Sequence, residues 1–428
     1  MARYIDPLYV AGWLLCLLLL IFGALTWIVL ALVRKKPSGW PTRRQAIAVV
    51  VAPVLWALIS YGWIKTYTFG WASPQLAYAP DTVIRLDTNG RPLLDHGKPI
   101  KVSGDPKVPG AYRVYLRDAR YFDLYLPASY TGNEPLPCGF FLHGDNEAHP
   151  EKFAGEYTEL ASKANSQGMI AVFPVSQTTY TLWGIPQHRW NDIDSLSGRD
   201  ERFPHDTGYA WEVRDWVLSH LNFDQNKTGL AGLSGGAVFA ASIACSGLAP
   251  TNWFFSCGGT MFDWQLQRRP YYPPTNVFIQ LNELDTTTLP LETADGQVTK
   301  GSEYYLAVYG AGFANIAHSR PTLQIKYWLG YFNAQGGIDN PTNYEDPDGQ
   351  WRSVVHAFRM GNGATRYFVE FWVKGEHAWH GTAGGGSPEE GIKPNMAVPM
   401  SDIVVALTLG KSVSQVMAAL TAKQPLLK

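Results

Sequence analysis

Residues 228–237 read TGLAGLSGGA, and the centre of this stretch, GLSGG at 232–236, fits the pattern G-x-S-x-G. An apolar run precedes Ser234 and a small, apolar run at 237–244 follows it, which predicts a strand, a tight turn and a helix. A serine hydroxyl is a poor nucleophile at neutral pH, so it must sit on a turn where a base reaches it and a carbonyl can approach. The flanks disfavour the alternative, a glycine-rich packing turn, and predict that Ser234 is a nucleophile.

Strand and helix patterns alternate along the chain around this turn. Apolar spacing between 206 and 221 predicts a helix that packs one face on a sheet, broken at 222–226, and a second helix is predicted at 156–166. Strands are predicted at 113–117, 120–126, 138–142, 169–174, 254–257, 277–281 and 367–373. This alternation predicts an α/β fold with a mostly parallel, doubly wound sheet covered on both faces.

The composition excludes nucleic acid as a partner, and no motif in the sequence indicates a bound metal. Of the 428 residues 46% are hydrophobic and 17% charged, with a formal net charge of -1, which excludes nucleic-acid binding. Glu376, His377 and His380 match no zinc signature. The acidic stretch 339–348 lacks a calcium-loop signature and is interpreted as a solvated turn. No metal and no cofactor is predicted.

The first 70 residues carry two long apolar stretches. Residues 8–33 contain no charge and are long enough to cross about 30 Å of hydrocarbon, and 46–64 form a second such stretch. Five basic residues lie between them, at 34–36, 43 and 44, whereas the outer flanks offer only Arg3 and Lys65. The positive-inside rule then predicts a transmembrane hairpin with a cytoplasmic loop. A cleaved signal peptide is disfavoured because the first apolar core is long and a second span follows.

This orientation predicts a multi-pass protein of the inner, cytoplasmic membrane whose remaining chain faces the periplasm or the exterior. Three cysteines then lie outside the membrane, an odd number that permits at most one internal disulfide. Cys245 and Cys257 are the best-placed pair, but a buried free thiol at each site fits the sequence equally well.

Four pieces of sequence carry a resemblance to a known family. They are LHG at 142–144 after the first central strand, DQNK at 224–227 leading into GLSGG, Asp285 after a late strand, and GEHAWHG at 375–381. With them the chain resembles the polyhydroxybutyrate depolymerase-like and feruloyl or acetylxylan esterase branch of the α/β-hydrolases, over roughly 112–381. The last piece is similar to the family pattern G-x-x-H-x-W-P-G, with one residue fewer between Gly375 and His377 and with His380 in place of the proline. Cysteines that many relatives carry between the acid and the histidine are absent, so the resemblance implies no disulfide.

The resemblance divides the chain into three parts. Residues 1–70 form the transmembrane hairpin, and 71–111, rich in Pro, Gly and Asp, form a linker and N-terminal β extension. Residues 112–428 form the α/β-hydrolase domain. The stretch between Asp285 and His377 far exceeds one helix, which predicts an insertion at about 287–365.

Acyl transfer by serine needs an imidazole to take the proton, a carboxylate to orient the imidazole, and backbone donors for the oxyanion. Ser234, Asp285 and His377 follow the chain order Ser, Asp, His of this fold. Asp285 lies just past a predicted strand, where open α/β sheets place binding groups, and the family pattern favours it over nearby Glu283. His380 is the competitor of His377.

The predicted oxyanion donors are the backbone N–H of Gly235 and one N–H from Gly144 or Asp145. His143 is expected to shape that loop rather than to exchange protons. Candidate side chains of the substrate pocket are His143, Trp190 and Trp379. Aromatic platforms suit sugar rings or aromatic acyl groups, although aromatic residues also serve simply as core.

These observations predict a membrane-anchored, extracytoplasmic serine esterase that cleaves carboxylic esters through an acyl-enzyme. The expected substrate is a polyester, an acylated polysaccharide or a hydroxycinnamate ester, and the expected lipid contact is through the two N-terminal helices. Two alternatives stay open. An acyltransferase would use the same triad with a sugar hydroxyl as acceptor, and a catalytically silent binding protein would keep only the fold.

Overall fold

The structure is a computed structural model, and it describes about half of the chain. The described residues are 69–71, 78–145, 149–176, 178–182, 185–190, 206–246, 251–259, 261, 265, 275–282, 324, 327–328, 338–345, 352–360, 366–373, 377–379, 399–422 and 424–427. The predicted transmembrane spans lie outside these residues, as do Asp285, Glu283 and His380. Within the described part of the chain, no helix is both long and apolar enough to cross a bilayer.

Strands dominate the described residues. In chain order they are β1 (Phe69–Trp71), β2 (Val83–Leu86), β3 (Leu94–Asp95), β4 (Lys98–Pro99), β5 (Lys101–Val102), β6 (Gly110–Tyr115), β7 (Tyr121–Leu126), β8 (Leu136–Leu142), β9 (Ile170–Pro174), β10 (Thr178–Leu182), β11 (Ile185–Arg189), β12 (Phe223–Leu233), β13 (Trp253–Cys257), β14 (Asn276–Asn282), β15 (Ile338–Glu345), β16 (Arg352–Met360) and β17 (Arg366–Val373). The α-helices are α1 (Leu160–Ser166), α2 (Asp206–His220), α3 (Gly235–Ser246), α4 (Met400–Thr408) and α5 (Val413–Thr421).

The chain divides into two compact units, one of residues 1–73 with 178–188 and one of 74–177 with 189–428. The first contains a three-stranded sheet in the order β1-β10-β11. The second contains a twelve-stranded sheet in the order β15-β16-β17-β14-β13-β12-β8-β9-β7-β6-β2-β5. Strands β2 and β5, from the predicted N-terminal extension, therefore pair into the same sheet as the predicted hydrolase domain.

The centre of the large sheet is parallel. Strands β17, β14, β13, β12, β8 and β9 run in one direction, whereas β7 runs antiparallel to both β9 and β6. Eight neighbouring strands of this sheet can be numbered 1 to 8 in chain order: β6, β7, β8, β9, β12, β13, β14 and β17. Across the sheet they lie in the order 1-2-4-3-5-6-7-8, and the second is antiparallel to its neighbours. This is the strand order of an α/β-hydrolase sheet, and it confirms the predicted α/β class.

Helices cover both faces of this sheet because successive strand residues point to opposite sides. Leu142 and Leu230 belong to a buried cluster that includes side chains of α2 and α3. Their chain neighbours Phe141 and Ala231 belong to a second cluster with side chains of α1, α4 and α5. A strand buried on both faces explains why β8 and β12 read as apolar runs rather than as alternating patterns.

Most predicted elements are confirmed, with two corrections. The helix expected over 156–166 is interrupted, because a π-helical turn at 153–157 is followed by Glu159 in a left-handed conformation (φ 56°) before α1 begins. The helix predicted over 206–221 does end before 222–226, at His220, and β12 begins directly afterwards at Phe223. The acidic stretch taken as a turn is largely strand, since β15 pairs antiparallel with β16.

The cysteine question left open by the sequence is resolved in favour of thiols. Cys138, Cys245 and Cys257 are thiols that are not joined in a disulfide. Cys138 and Cys257 are completely buried in the sheet, and burial raises the pKa of both thiols because the thiolate would lie in apolar surroundings. Both are therefore structural side chains rather than reactive ones.

Candidate active site

Ser234 occupies the turn between β12 and α3, as predicted. Its φ of 54° is left-handed, a conformation that costs a non-glycine residue about 1–3 kcal/mol and that clusters at functional sites. Hydrogen bonds hold it there. The Ser234 N–H donates to the Cys257 carbonyl of β13 at 2.9 Å, and the Ser234 carbonyl accepts from the N–H of Ala237 and Val238 at 2.9 and 3.1 Å. The strand, the neighbouring strand and the helix thus all fix the serine backbone.

The glycines of the GLSGG segment have no side chains, and atoms of other residues occupy the space where their Cβ atoms would lie. A Cβ on Gly232 would lie 2.2 Å from the Gly236 carbonyl oxygen, and a Cβ on Gly236 would lie 2.2 Å from the His143 carbonyl oxygen. A Cβ on Gly235 would lie 2.2 Å from the Asp145 carboxyl carbon. The close approach of the elbow to the 143–145 loop therefore depends on glycine at 235 and 236.

Gly236→Ala is expected to destabilise the domain by about 1–3 kcal/mol or more, because its methyl group would collide with two main-chain carbonyls that cannot rotate away. Thermal unfolding of the variant measures this. The matched control is Gly208→Ala on α2, where no atom lies within 4 Å of the added Cβ and helix propensity predicts a small gain. Equal melting temperatures for the two variants would contradict the contact.

The loop after β8 is built on His143, whose ring is buried. Its Nε2 accepts the Ser176 N–H at 3.1 Å, so Nδ1 must carry the proton that it donates to the Gly144 carbonyl at 2.7 Å. Both ring nitrogens of this neutral imidazole are thus used within the protein. His143 shapes the loop, as the sequence predicted, and its contact with substrate stays a prediction.

Trp190 supports the same loop from the side. Its indole N–H donates to the His143 carbonyl at 2.7 Å, and its ring stacks between His143 and Phe239 of α3, with both pairs of ring centroids 4.8 Å apart. Only 1% of Trp190 is exposed. Its contact with substrate stays a prediction. In the structure Trp190 holds the loop after β8 against α3, the helix that follows Ser234.

Asp145 faces the elbow. Its Oδ1 accepts the Trp190 backbone N–H at 2.9 Å. Burial raises the pKa of this carboxyl to about 6, an effect opposed by the charge of Arg189 and by the Trp190 hydrogen bond and reinforced by the charge of Asp206. The 144–145 loop thus packs against Gly235, and its part as the second oxyanion donor stays a prediction.

The loop after β17 carries His377, Ala378 and Trp379. His377 is half-buried, and the Ala378 carbonyl accepts a hydrogen bond from Gln280 of β14 at 3.4 Å. The Trp379 indole donates to the Ser401 hydroxyl at 2.8 Å, and that hydroxyl donates to the Thr158 carbonyl. The residue after the predicted base is therefore anchored to β14, and the next one to the start of α4.

Ser234 and the His377 loop follow strands that end at the same edge of the sheet. Strands β12, β14 and β17 are parallel members of the same sheet, so Ser234, the segment after Asn282 and the His377 loop all follow carboxyl ends. Ligands bind at this edge in open α/β sheets. Asp285 falls in the segment after β14 but lies outside the described residues, and its pairing with His377 stays a prediction.

Sequence reasoning missed three residues of this region. Gln280 had a signal, since a polar side chain interrupts the apolar strand VFIQL. Ser401 and Thr158 had none, because nothing in their local sequence indicates a contact with the histidine loop. The predicted pocket residue Trp379 is only 1% exposed, so the structure shows it as an anchor of the loop, and its contact with substrate stays a prediction.

Comparison with known proteins gives matches to solved structures alone. No family model and no curated protein matches the chain. It is similar to an acetyl xylan esterase from Aspergillus awamori at 14% identity, covering 60% of this chain and 88% of that one with a TM-score of 0.33. It is also similar to fluorophosphonate-binding serine hydrolase F of Staphylococcus aureus at 15% identity, covering 41% and 79% with a TM-score of 0.30. A feruloyl esterase module of Clostridium thermocellum matches at 14% identity, covering 51% and 76% with a TM-score of 0.29. The strand order and the serine elbow, rather than these matches, identify the fold.

Proposed function

We propose that this protein is a serine esterase that cleaves carboxylic esters through an acyl-enzyme, with Ser234 as nucleophile, His377 as base and Asp285 as the acid that orients the imidazole. One observation carries the proposal. Ser234 is held in a left-handed conformation between a parallel strand and a helix N-terminus. Such strain persists only where surrounding structure enforces it, and nucleophilic serine needs this geometry.

The reaction follows from the arrangement. The Ser234 hydroxyl attacks the ester carbonyl, its proton passes to His377, and the carbonyl π electrons move onto oxygen. The backbone N–H of Gly235, at the first turn of α3, and an N–H of the 144–145 loop stabilise that oxyanion. Collapse expels the alcohol, which takes the proton from His377. Water then attacks the acyl-enzyme by the same route and releases the acid.

The experiment is an ester panel assayed with the full chain in detergent, alongside Ser234→Ala. The panel holds a short-chain aryl ester, a polyester, an acylated polysaccharide and a hydroxycinnamate ester. We expect turnover of the aryl ester and a preference within the other three, all dependent on Ser234. Absence of turnover across the panel and of labelling by an organophosphonate would favour a catalytically silent binding protein. Transfer of the acyl group to an added sugar, in preference to water, would identify an acyltransferase instead.

We also propose that two N-terminal helices anchor the enzyme in the inner membrane with the catalytic domain outside the cytoplasm. The support is the length of the apolar stretches 8–33 and 46–64 and the five basic residues between them. Polymeric or carbohydrate-linked esters outside the cell suit a tethered enzyme of this orientation.

A reporter that is active only outside the cytoplasm is expected to be active when fused after Lys428, because the basic loop keeps the connection between the spans inside. The same reporter fused after Lys36, within that loop, is expected to be silent. Reporter activity in living cells, normalised to the amount of fusion protein, measures the orientation. A cytoplasmic reporter that works after Lys428 and fails after Lys36 would reverse the proposed topology.

A further inference from the structure

A carboxyl group lies directly against the proposed oxyanion site. A Cβ added to Gly235 would lie 2.2 Å from Cγ of Asp145, 2.3 Å from its Oδ2 and 2.5 Å from its Oδ1. The carboxyl therefore fills the space that a side chain after the nucleophile would take. Asp145 thus packs against the residue whose backbone N–H is proposed to hold the oxyanion.

The hydrogen bonding of this carboxyl leaves one oxygen for the site. Oδ1 accepts the Trp190 backbone N–H at 2.9 Å, and the Trp190 ring is itself clamped between His143 and Phe239. The group is thus held in place from the loop side. Oδ2, the oxygen that does not accept from Trp190, lies 2.3 Å from the position of a Cβ on Gly235.

The charge of Asp145 decides whether this arrangement helps or opposes the reaction. An ionised carboxylate beside a developing oxyanion repels it, whereas a neutral carboxylic acid donates a hydrogen bond to it. Arg189 favours the ionised form and Asp206 opposes it, although Asp206 is itself paired with Arg120. His143 is neutral, because both its ring nitrogens are committed to hydrogen bonds.

We propose that Asp145 is a catalytic residue of this site, whose neutral carboxyl donates a hydrogen bond from Oδ2 to the oxyanion together with the Gly235 N–H. The inference rests on the proposed ester hydrolysis and deepens it. The proposal adds no covalent step and no net proton transfer to those already given. Asp145 shares its proton with the oxyanion through the hydrogen bond and keeps it when the tetrahedral intermediate collapses.

The proposal sets the pH dependence of the enzyme. Because burial raises the pKa of Asp145 to about 6, the donor is present below that pH and is lost as the pH rises through it. Above pH 6 the neutral fraction of Asp145 falls about tenfold per pH unit, so wild-type turnover should decline on the alkaline side. An amide at the same position donates without titrating.

The test compares wild type, Asp145→Asn and Asp145→Ala in the full chain, with kcat for a short-chain aryl ester measured from pH 4.5 to 9. The ratio of Asp145→Asn to wild-type kcat is expected to rise above pH 6, toward tenfold per pH unit. Asp145→Ala is expected to be at least tenfold slower than Asp145→Asn throughout, since it lacks a donor. An alkaline limb in Asp145→Asn identical to that of wild type would overturn the proposal. Equal rates for the alanine and asparagine variants at high pH would also overturn it, because relief of charge alone would then suffice.

A second measurement separates this inference from the proposed function. A carboxyl whose pKa is raised on folding contributes stability that is fully present at pH 4 and lost as the pH rises through 6. Asp145→Asn should therefore raise the melting temperature more at pH 7.5 than at pH 4.5. A difference that does not change with pH would show that the carboxyl is not held neutral, which refutes the inference even in an active esterase. A pH-dependent difference in a chain without esterase activity would refute the proposed function and, with it, the role in the oxyanion site.

Discussion

Ser234→Ala is expected to lower ester turnover on the order of 10⁶-fold, the loss seen when the nucleophile of a serine triad is removed. The proposed reaction needs the hydroxyl on this elbow, beside the proposed oxyanion donor at the start of α3, and alanine at this position leaves no nucleophile there. Turnover of a short-chain aryl ester measures the loss. An organophosphonate should label the wild type at Ser234 and leave the variant unlabelled.

The matched control is Ser219→Ala on α2, an exposed serine whose hydroxyl donates only to the Asp215 carbonyl within its own helix. It should keep wild-type turnover and labelling. Asp285→Ala should lose less than Ser234→Ala, because an unoriented imidazole still accepts a proton. Full turnover in Ser234→Ala with intact folding would remove the basis of the proposed function.

His377→Ala is expected to lose about as much activity as Ser234→Ala, and the double variant should be little worse than either, since the two residues act as one unit. The competing histidine supplies the control. His380→Pro should retain much of the activity, because proline stands at that position in the pattern that GEHAWHG resembles. The measurement is kcat for the aryl ester, with melting temperatures to confirm folding. Equal losses from the two single changes would assign the base differently.

The elbow and the sheet were predictable because both leave local marks on the sequence. Apolar runs of five to seven residues fit strands buried on both faces, and a glycine-flanked serine after such a run fits a tight turn. Only the structure explains why residues 235 and 236 must be glycine. Carbonyl oxygens and a carboxyl group occupy the space where larger side chains would lie.

Pairing between distant strands decided two elements that the local sequence does not indicate. The mostly polar residues 222–226 end the preceding helix as predicted, but their sequence does not predict a strand, and β12 begins at Phe223 because that residue pairs with Leu136 of β8 before the register shifts at Thr228. The acidic residues of β15 have low strand propensity, but β16 offers them a partner along their length. Propensity gives way to tertiary context in both cases.

The chemistry of the site stays a prediction, and the contacts that support its loops left no signal in the sequence. Residue types and chain order indicated the triad, and the resemblance placed the base at 377. The contact of Trp379 with Ser401 spans 22 residues, and that of Ser401 with Thr158 spans 243. Periodicity and short motifs report on neighbours within a few turns, so contacts of this span leave no local signal.

A chain of hydrogen bonds joins Trp379, Ser401 and Thr158, and it implies an order in which the parts of the proposed active site form during synthesis. The elbow and its oxyanion loop are encoded before residue 240, whereas the anchor of the base loop comes from α4, beginning at Met400. A chain still emerging from the ribosome should thus possess its nucleophile long before its base is held in position. We expect a nascent protein to be chemically silent until this late helix docks, which would keep an ester-cleaving centre inactive until its fold is nearly finished.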